Sequence, residues 1–303
     1  MMVGKFLFAA AAALALTQAS AAPAPEAGTL SVTWVAEPSD DSADQVELGL
    51  RHRTAGGQSH NSRDYALAEL PGLALGQDGP VRFRMAREAG TLDCSGTVRE
   101  RRGSGQCRFT ADAAFAAMLE RRGIGRPDTR DQYQLALQNV GTPLIEELER
   151  QDYARPDVSD LVALGVHGAD VGYLRALDAA GYRAGEADRL VAMRIHDVTP
   201  EYIAGLHALG PAYARLTPDQ LVQMRIHDVE LDFVRALAES GYESVGAEQL
   251  VQLAIHDVSP SFIRGMAEAG YRQLSVDELI TMKIHGVTPD DARRANAAAD
   301  GRL

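Results

Sequence analysis

Five histidines close five copies of one heptapeptide in the second half of this chain. The copies are Leu161-Val162-Ala163-Leu164-Gly165-Val166-His167, Leu190-Val191-Ala192-Met193-Arg194-Ile195-His196, Leu221-Val222-Gln223-Met224-Arg225-Ile226-His227, Leu250-Val251-Gln252-Leu253-Ala254-Ile255-His256 and Leu279-Ile280-Thr281-Met282-Lys283-Ile284-His285. The histidines stand 29, 31, 29 and 29 residues apart. Imidazoles in register raise zinc chemistry first. Zinc demands three or four ligands converging at about 2.0–2.1 Å on one ion. Equivalent positions of stacked repeats instead lie side by side, one helix-packing distance of ~8–10 Å apart. That makes a row and not a cage. The simpler role is structural: each histidine ends a helix, where imidazole can donate to the last carbonyls and suits the negative end of the dipole. No metal and no cofactor is expected at these positions.

Histidine beside aspartate, as in His196-Asp197, His227-Asp228 and His256-Asp257, is the second chemistry to weigh. Neighbouring side chains at a helix end diverge, so these pairs are not catalytic dyads. No Gly-x-Ser-x-Gly nucleophile turn accompanies them. The third candidate is a pattern of charge. Arg175, Arg235, Arg264 and Arg293 recur once per repeat, interrupted by Ala204, and Glu201, Asp232 and Asp290 form a neighbouring row. Such a striped surface can engage an extended partner. The alternative is ion pairing within and between the repeats, worth little at a surface.

The elements that position these residues are pairs of short helices. The first helix of a pair opens at a cap, Thr217 before Pro218 or Ser275 with Glu278, and ends at the histidine. Leu190, Met193 and Ile195 spread too widely around it for an element facing solvent. The second opens at Thr199-Pro200-Glu201 or Ser259-Pro260-Ser261 and ends at Gly210, with Gly181, Gly241 and Gly270 in the same place. Tyr182, Tyr242 and Tyr271 follow three of these glycines, as a left-handed cap with an apolar closing contact requires. The two extra residues between His196 and His227 fall in the connection 210–216. An earlier, degenerate copy is read with Asn139 in the histidine place and Thr142-Pro143 after it. A hairpin of ~29 residues cannot bury both faces alone, whereas stacked copies can. The last copy has Asp291 where Tyr202, Phe233 and Phe262 stood, so a polar helix ends the stack. A closed bundle of the same hairpins satisfies the pattern as well.

The recurring Ile-His-(Asp/Gly)-Val-(Thr/Ser)-Pro run resembles repeats in the extracytoplasmic tails of some BlaR-type antirepressor metallopeptidases and in other exported proteins. The resemblance covers residues 157–292. It implies a helical repeat fold and carries no proteolytic activity, because no His-Glu-x-x-His occurs and the membrane helices of that family are absent.

Residues 29–110 read as an antiparallel β domain. Leu30-Ser31-Val32-Thr33-Trp34, Val46-Glu47-Leu48-Gly49-Leu50 and Val81-Arg82-Phe83-Arg84-Met85 each alternate, as half-buried strands do. Runs 91–98 and 104–110 flank a loop at 99–103. Centring that loop places Cys94 opposite Cys107, and two cysteines facing across a hairpin of an exported chain are expected to pair. Arg51, Arg53, Arg63, Arg82, Arg84, Arg87, Arg99, Arg101 and Arg102 gather in this domain. They form either a face for an anionic partner or a solvated sheet face that discourages edge pairing.

Composition bounds the function. Of the 303 residues 46% are apolar and 24% charged, and the net charge of −12 argues against nucleic acid as a partner. With 6% aromatic residues, stacking platforms are scarce. Residues 1–21 carry one charge, Lys5, an apolar run at 6–16 and Ala19-Ser20-Ala21, the layout of a secretory signal peptide. The expected organisation is a signal peptide at 1–21, a linker at 22–28, the β domain at 29–110, a helical connection with the degenerate repeat at 111–156, and helical repeats with a polar cap at 157–303. The fold class is thus α+β, an antiparallel domain followed by an α-solenoid-like array. The expected function is a non-catalytic interaction scaffold or sensor-associated module, exported and periplasmic. Its partner would be a protein or peptide of the cell envelope, and the mature chain would have no transmembrane segment. The alternative is a ligand binder or enzyme with its site in the β domain or at the domain junction.

Overall fold

The computed structural model describes residues 28–40, 42–54 and 57–299. The expected signal peptide and the linker up to residue 27 lie outside the described residues.

Six strands form one antiparallel sheet: β1 (Thr29–Pro38), β2 (Gln45–Thr54), β3 (Gly57–Ala66), β4 (Gly79–Arg87), β5 (Gly90–Arg99) and β6 (Arg102–Ala111). Their order is β3-β2-β1-β6-β5-β4. Alternation sends Val32, Trp34, Leu48, Leu50, Phe83, Met85 and Phe109 to one buried face. The Trp34 indole lies over β5 and β6, donating from Nε1 to the Ser95 carbonyl at 3.1 Å. Glycine makes room for it. A Cβ at Gly96 or Gly103 would stand 2.7 Å from the ring.

The loop expected at 99–103 is tighter than that. Arg99 still pairs with Arg102, and only Glu100 and Arg101 turn, both with positive φ (50° and 63°). This is the primed two-residue turn that matches strand twist. The centring was right, so Cys94 opposes Cys107 and the two are joined. β3 was not anticipated. Its sequence, Gly-Gln-Ser-His-Asn-Ser-Arg-Asp-Tyr-Ala, has no apolar alternation, and only Tyr65 is buried.

Thirteen described helices follow. After α1 (Ala113–Arg121), they form six hairpins: α2/α3 (Thr129–Leu137, Thr142–Arg150), α4/α5 (Val158–Val166, Val171–Ala179), α6/α7 (Ala187–Ile195, Pro200–Leu209), α8/α9 (Pro218–Ile226, Leu231–Glu239), α10/α11 (Ala247–Ile255, Pro260–Glu268) and α12/α13 (Val276–Ile284, Pro289–Ala299). First helices pack on first helices, from α2 through to α12, and second helices on second helices, from α3 through to α13. The contacts are successive, which makes an open two-layer array. The extra residues before α8 form a short 3-10 turn, Pro211–Tyr213, with Tyr213 buried. Among the described residues no helix is long and apolar enough to cross a membrane.

The connection at 111–156 joins the two parts. α2 packs on β1, β5 and β6 and also on α4. Tyr133 of α2 meets His52 and Phe109 edge-on, with centroids 5.1 and 5.4 Å away. α2 and α3 follow the hairpin pattern of the later pairs, but Asn139 does not hold the histidine place. Gln138 takes the histidine place at the end of α2, Asn139 takes the following left-handed place (φ 53°), and Gly141 caps α3. One buried apolar cluster therefore reaches from Val32 in the sheet to Ala292 in α13.

Candidate functional site

Each repeat histidine is the C-cap of its helix: His167 on α4, His196 on α6, His227 on α8, His256 on α10 and His285 on α12. The residue after it takes the left-handed conformation, as Asp197, Asp228 and Asp257 (φ 54°, 53° and 52°) or as Gly168 and Gly286. The valine that follows Asp197 donates back to the Met193 carbonyl at 2.8 Å, and Asp197 donates to Arg194 at 3.3 Å. Backbone groups alone therefore complete the helix end. The imidazoles make no hydrogen bond among the described residues, contrary to the expectation that they bond the last carbonyls. Nor do three or more His, Cys, Asp or Glu side chains converge there as a metal would require.

The residue before each histidine is the more informative one. Val166, Ile195, Ile226, Ile255 and Ile284 are 43–60% exposed, while Leu190 and Met193 are fully buried. Ile195 does not join their column as the sequence reading had it. At ~100° per residue it lies about 200° around the helix from Met193, facing solvent. Five aliphatic side chains thus form a row along one edge of the array, each beside an imidazole.

The basic residue one place earlier is a latch between repeats. The Arg194 guanidinium lies 4.9 Å over the ring of Tyr173 in the preceding hairpin, and Arg225 lies 5.0 Å over Tyr202. Lys283 stands 5.3 Å over Phe262 and pairs with Asp257 at 3.1 Å. The tyrosines reach forward in turn. Tyr173 donates to the Val198 carbonyl at 2.8 Å and Tyr202 to the Val229 carbonyl at 2.6 Å. Burial raises the pKa of both phenols, keeping them neutral donors. The sequence reading missed these latches, although a cation before Ile-His and an aromatic in the preceding second helix were both visible.

The charged rows are largely spent on ion pairs. Arg175 bridges to Glu147 of the preceding hairpin at 3.0 Å. Arg235 pairs with Asp232, three residues away at 2.5 Å, and Arg293 with Asp290 in the same way. Arg264 and Glu201 are exposed and make no ion pair among the described residues. Glu201 and Asp232 share an open groove of about 460 Å³ with Asp197, Tyr202, Arg225 and Glu230. It carries more acid than base, and Arg225 already pairs with Glu230 and Asp197.

A cleft of about 480 Å³ lies at the junction, lined by Arg63, Glu69 and Glu88 from the sheet side and by Gln138 and Asp170 from the helices. Its polar side chains already have structural work. Arg63 donates to Gln138 at 2.8 Å, Glu69 pairs with Arg87, Glu88 accepts from the Thr142 amide at 2.8 Å, and Asp170 caps α5.

An antiparallel sheet seated on an open, two-layer array of helical hairpins, with one repeated apolar edge, defines the class of protein. The chain matches no family model, no curated protein and no solved structure.

Proposed function

We propose that the protein is a non-catalytic interaction scaffold of the cell envelope whose repeat edge binds an extended segment of a partner protein. One observation carries this reading: Val166, Ile195, Ile226, Ile255 and Ile284 are exposed at the same place in successive repeats. Exposed aliphatic side chains that recur at one place in every repeat offer a regularly spaced set of apolar contacts to a partner. Parallel packed helices stand ~8–10 Å apart. A polyproline-II segment repeats its side chains every three residues, or about 9.3 Å. The occupant that fits is therefore an extended peptide with an apolar residue at every third position. The acidic groove lined by Asp197, Glu201, Glu230 and Asp232 favours a partner that also carries basic residues.

Synthetic peptides test this. A labelled peptide with an aliphatic residue at every third position should bind the full chain in a fluorescence-anisotropy titration. Desolvating one half-exposed isoleucine is worth about 1–1.5 kcal/mol, so Ile226→Asp should weaken binding roughly tenfold. Equal binding of a peptide with apolar residues at every second position, or no effect of I226D, would overturn the assignment.

A further inference from the structure

One end of the sheet face turned away from the helices is rich in positive charge. Arg51, Arg53, Arg82, Arg84 and Arg108 all project from it and are exposed. Strand register sets them in two neighbouring rows. One row crosses Arg51, Thr33, Gln106, Ser95 and Arg82; the next crosses Ser31, Arg108, Asp93 and Arg84, with Arg53 two residues beyond Arg51. Asp93 is the single carboxylate of both rows, and Arg84 holds it at 2.6 Å. Arg53 and Arg82 form no ion pair among the described residues. The acids of this face, Glu37, Glu47 and Asp64, are grouped at its other end.

This cluster runs against the balance of the whole chain, whose net charge is −12. Solvated sheet faces are stabilised by opposite charges on adjoining strands and destabilised by like charges. Here the cross-strand neighbours of the arginines are mostly hydroxyl and amide side chains, which the fold itself does not need. Adjacent strands lie ~4.8 Å apart, so Arg51 and Arg82, four strands apart, span about 19 Å. Next to the rows is an open basin of about 640 Å³, lined by Val35, Gly49 and Ser104 and, on the side away from the rows, by Glu37, Glu47, Arg99 and Arg102, with Arg102 paired to Glu37 at 3.1 Å.

We propose that this face binds a linear anionic polysaccharide that crosses the strands, its acidic groups on the arginines and its hydroxyls on Thr33, Gln106 and Ser95. The basin in the middle of the face leaves room for sugar rings. It would hold a flat bilayer away from the sheet floor, and among the described residues Val35 is the one large apolar side chain exposed there, which leaves little to insert into lipid. This surface is separate from the isoleucine row.

The test uses the full chain with polyuronate, and with vesicles of anionic phospholipid as the competing surface. Wild type should bind polyuronate with an affinity that falls steeply with salt. Arg53→Glu with Arg82→Glu should weaken binding at least tenfold and flatten the salt dependence, while Ile226→Asp leaves both unchanged. Should that pair lower the melting temperature, Arg53→Gln with Arg82→Gln repeats the test without charge reversal. Absence of polyuronate binding at low salt, indifference to both double substitutions, or vesicle binding with the same sensitivity to them would overturn the proposal.

Discussion

Glu147 of α3 holds Arg175 of the next hairpin, its Oε2 3.0 Å from the guanidinium Nε. The glutamate is 3% exposed, and Arg150 and Gln151 complete its shell. Counted from the helix caps, later hairpins carry Ala176, Gly205, Ala236 and Gly265 at this position. There the neighbouring hairpin comes close. A Cβ on Gly205 would stand 2.4 Å from Leu231, and one on Gly265 2.7 Å from Pro289. The first joint of the array is thus ionic where the later ones are close-packed.

That joint should be acid-labile. Hydrogen bonds from Arg150 above all, then Gln151 and Arg175, lower the Glu147 carboxyl from its ordinary 4.5 to about 2. A carboxyl lowered in the folded chain contributes stability that is complete above its ordinary value and lost as pH falls through its folded one. The urea midpoint of wild type should therefore drop between about pH 4.5 and 2, and Glu147→Gln should lack that part of the drop. Identical acid responses would show that the carboxylate does not carry it.

Tyr202→Phe removes the bond to the Val229 carbonyl and leaves that carbonyl buried without its partner. The expected loss is about 1–2 kcal/mol, read by chemical denaturation. Tyr173→Phe should behave alike, since its bond to Val198 is equivalent. A change below ~0.3 kcal/mol in both would remove the hydroxyls from the joints.

The repeat histidines should be individually dispensable. With no hydrogen bond to lose, His196→Ala, His227→Ala and His256→Ala should each shift stability by no more than ~0.5 kcal/mol. The buried Val229→Ala in the same corner should cost more, about 1–3 kcal/mol. Differential scanning calorimetry with and without a strong chelator checks both points. A chelator-sensitive wild type would point to a metal instead.

The bond between Cys94 and Cys107 closes a short loop, with a sequence separation of 13. Its removal by Cys→Ala at both positions should cost about 2–3 kcal/mol. Peptide mapping without reductant should recover the two cysteines in one linked pair.

The array was legible because its signals repeat: caps, glycine stops and buried leucines recur at one period, and each copy corroborates the next. The disulfide was legible because a symmetric turn fixes register whatever its length. β3 was not, since an edge strand that buries only Tyr65 leaves no period of two to read. Ile195 was misplaced for a related reason. A run of apolar residues shows that a helix is buried without showing which of them is left out. Arg175, Arg235 and Arg293 were visible as a row, but only side-chain geometry could tell that each already had a carboxylate.

The sheet closes one end of the helical stack, because α2 is at once the first repeat helix and the lid under β1, β5 and β6. At the other end Ala292 is the one buried side chain of α13 among the described residues. The stack therefore has a direction of unravelling. Under denaturant or mechanical pull it should open from its C-terminal hairpin inward, one joint at a time, and truncation after a whole hairpin should leave a shorter but still folded chain.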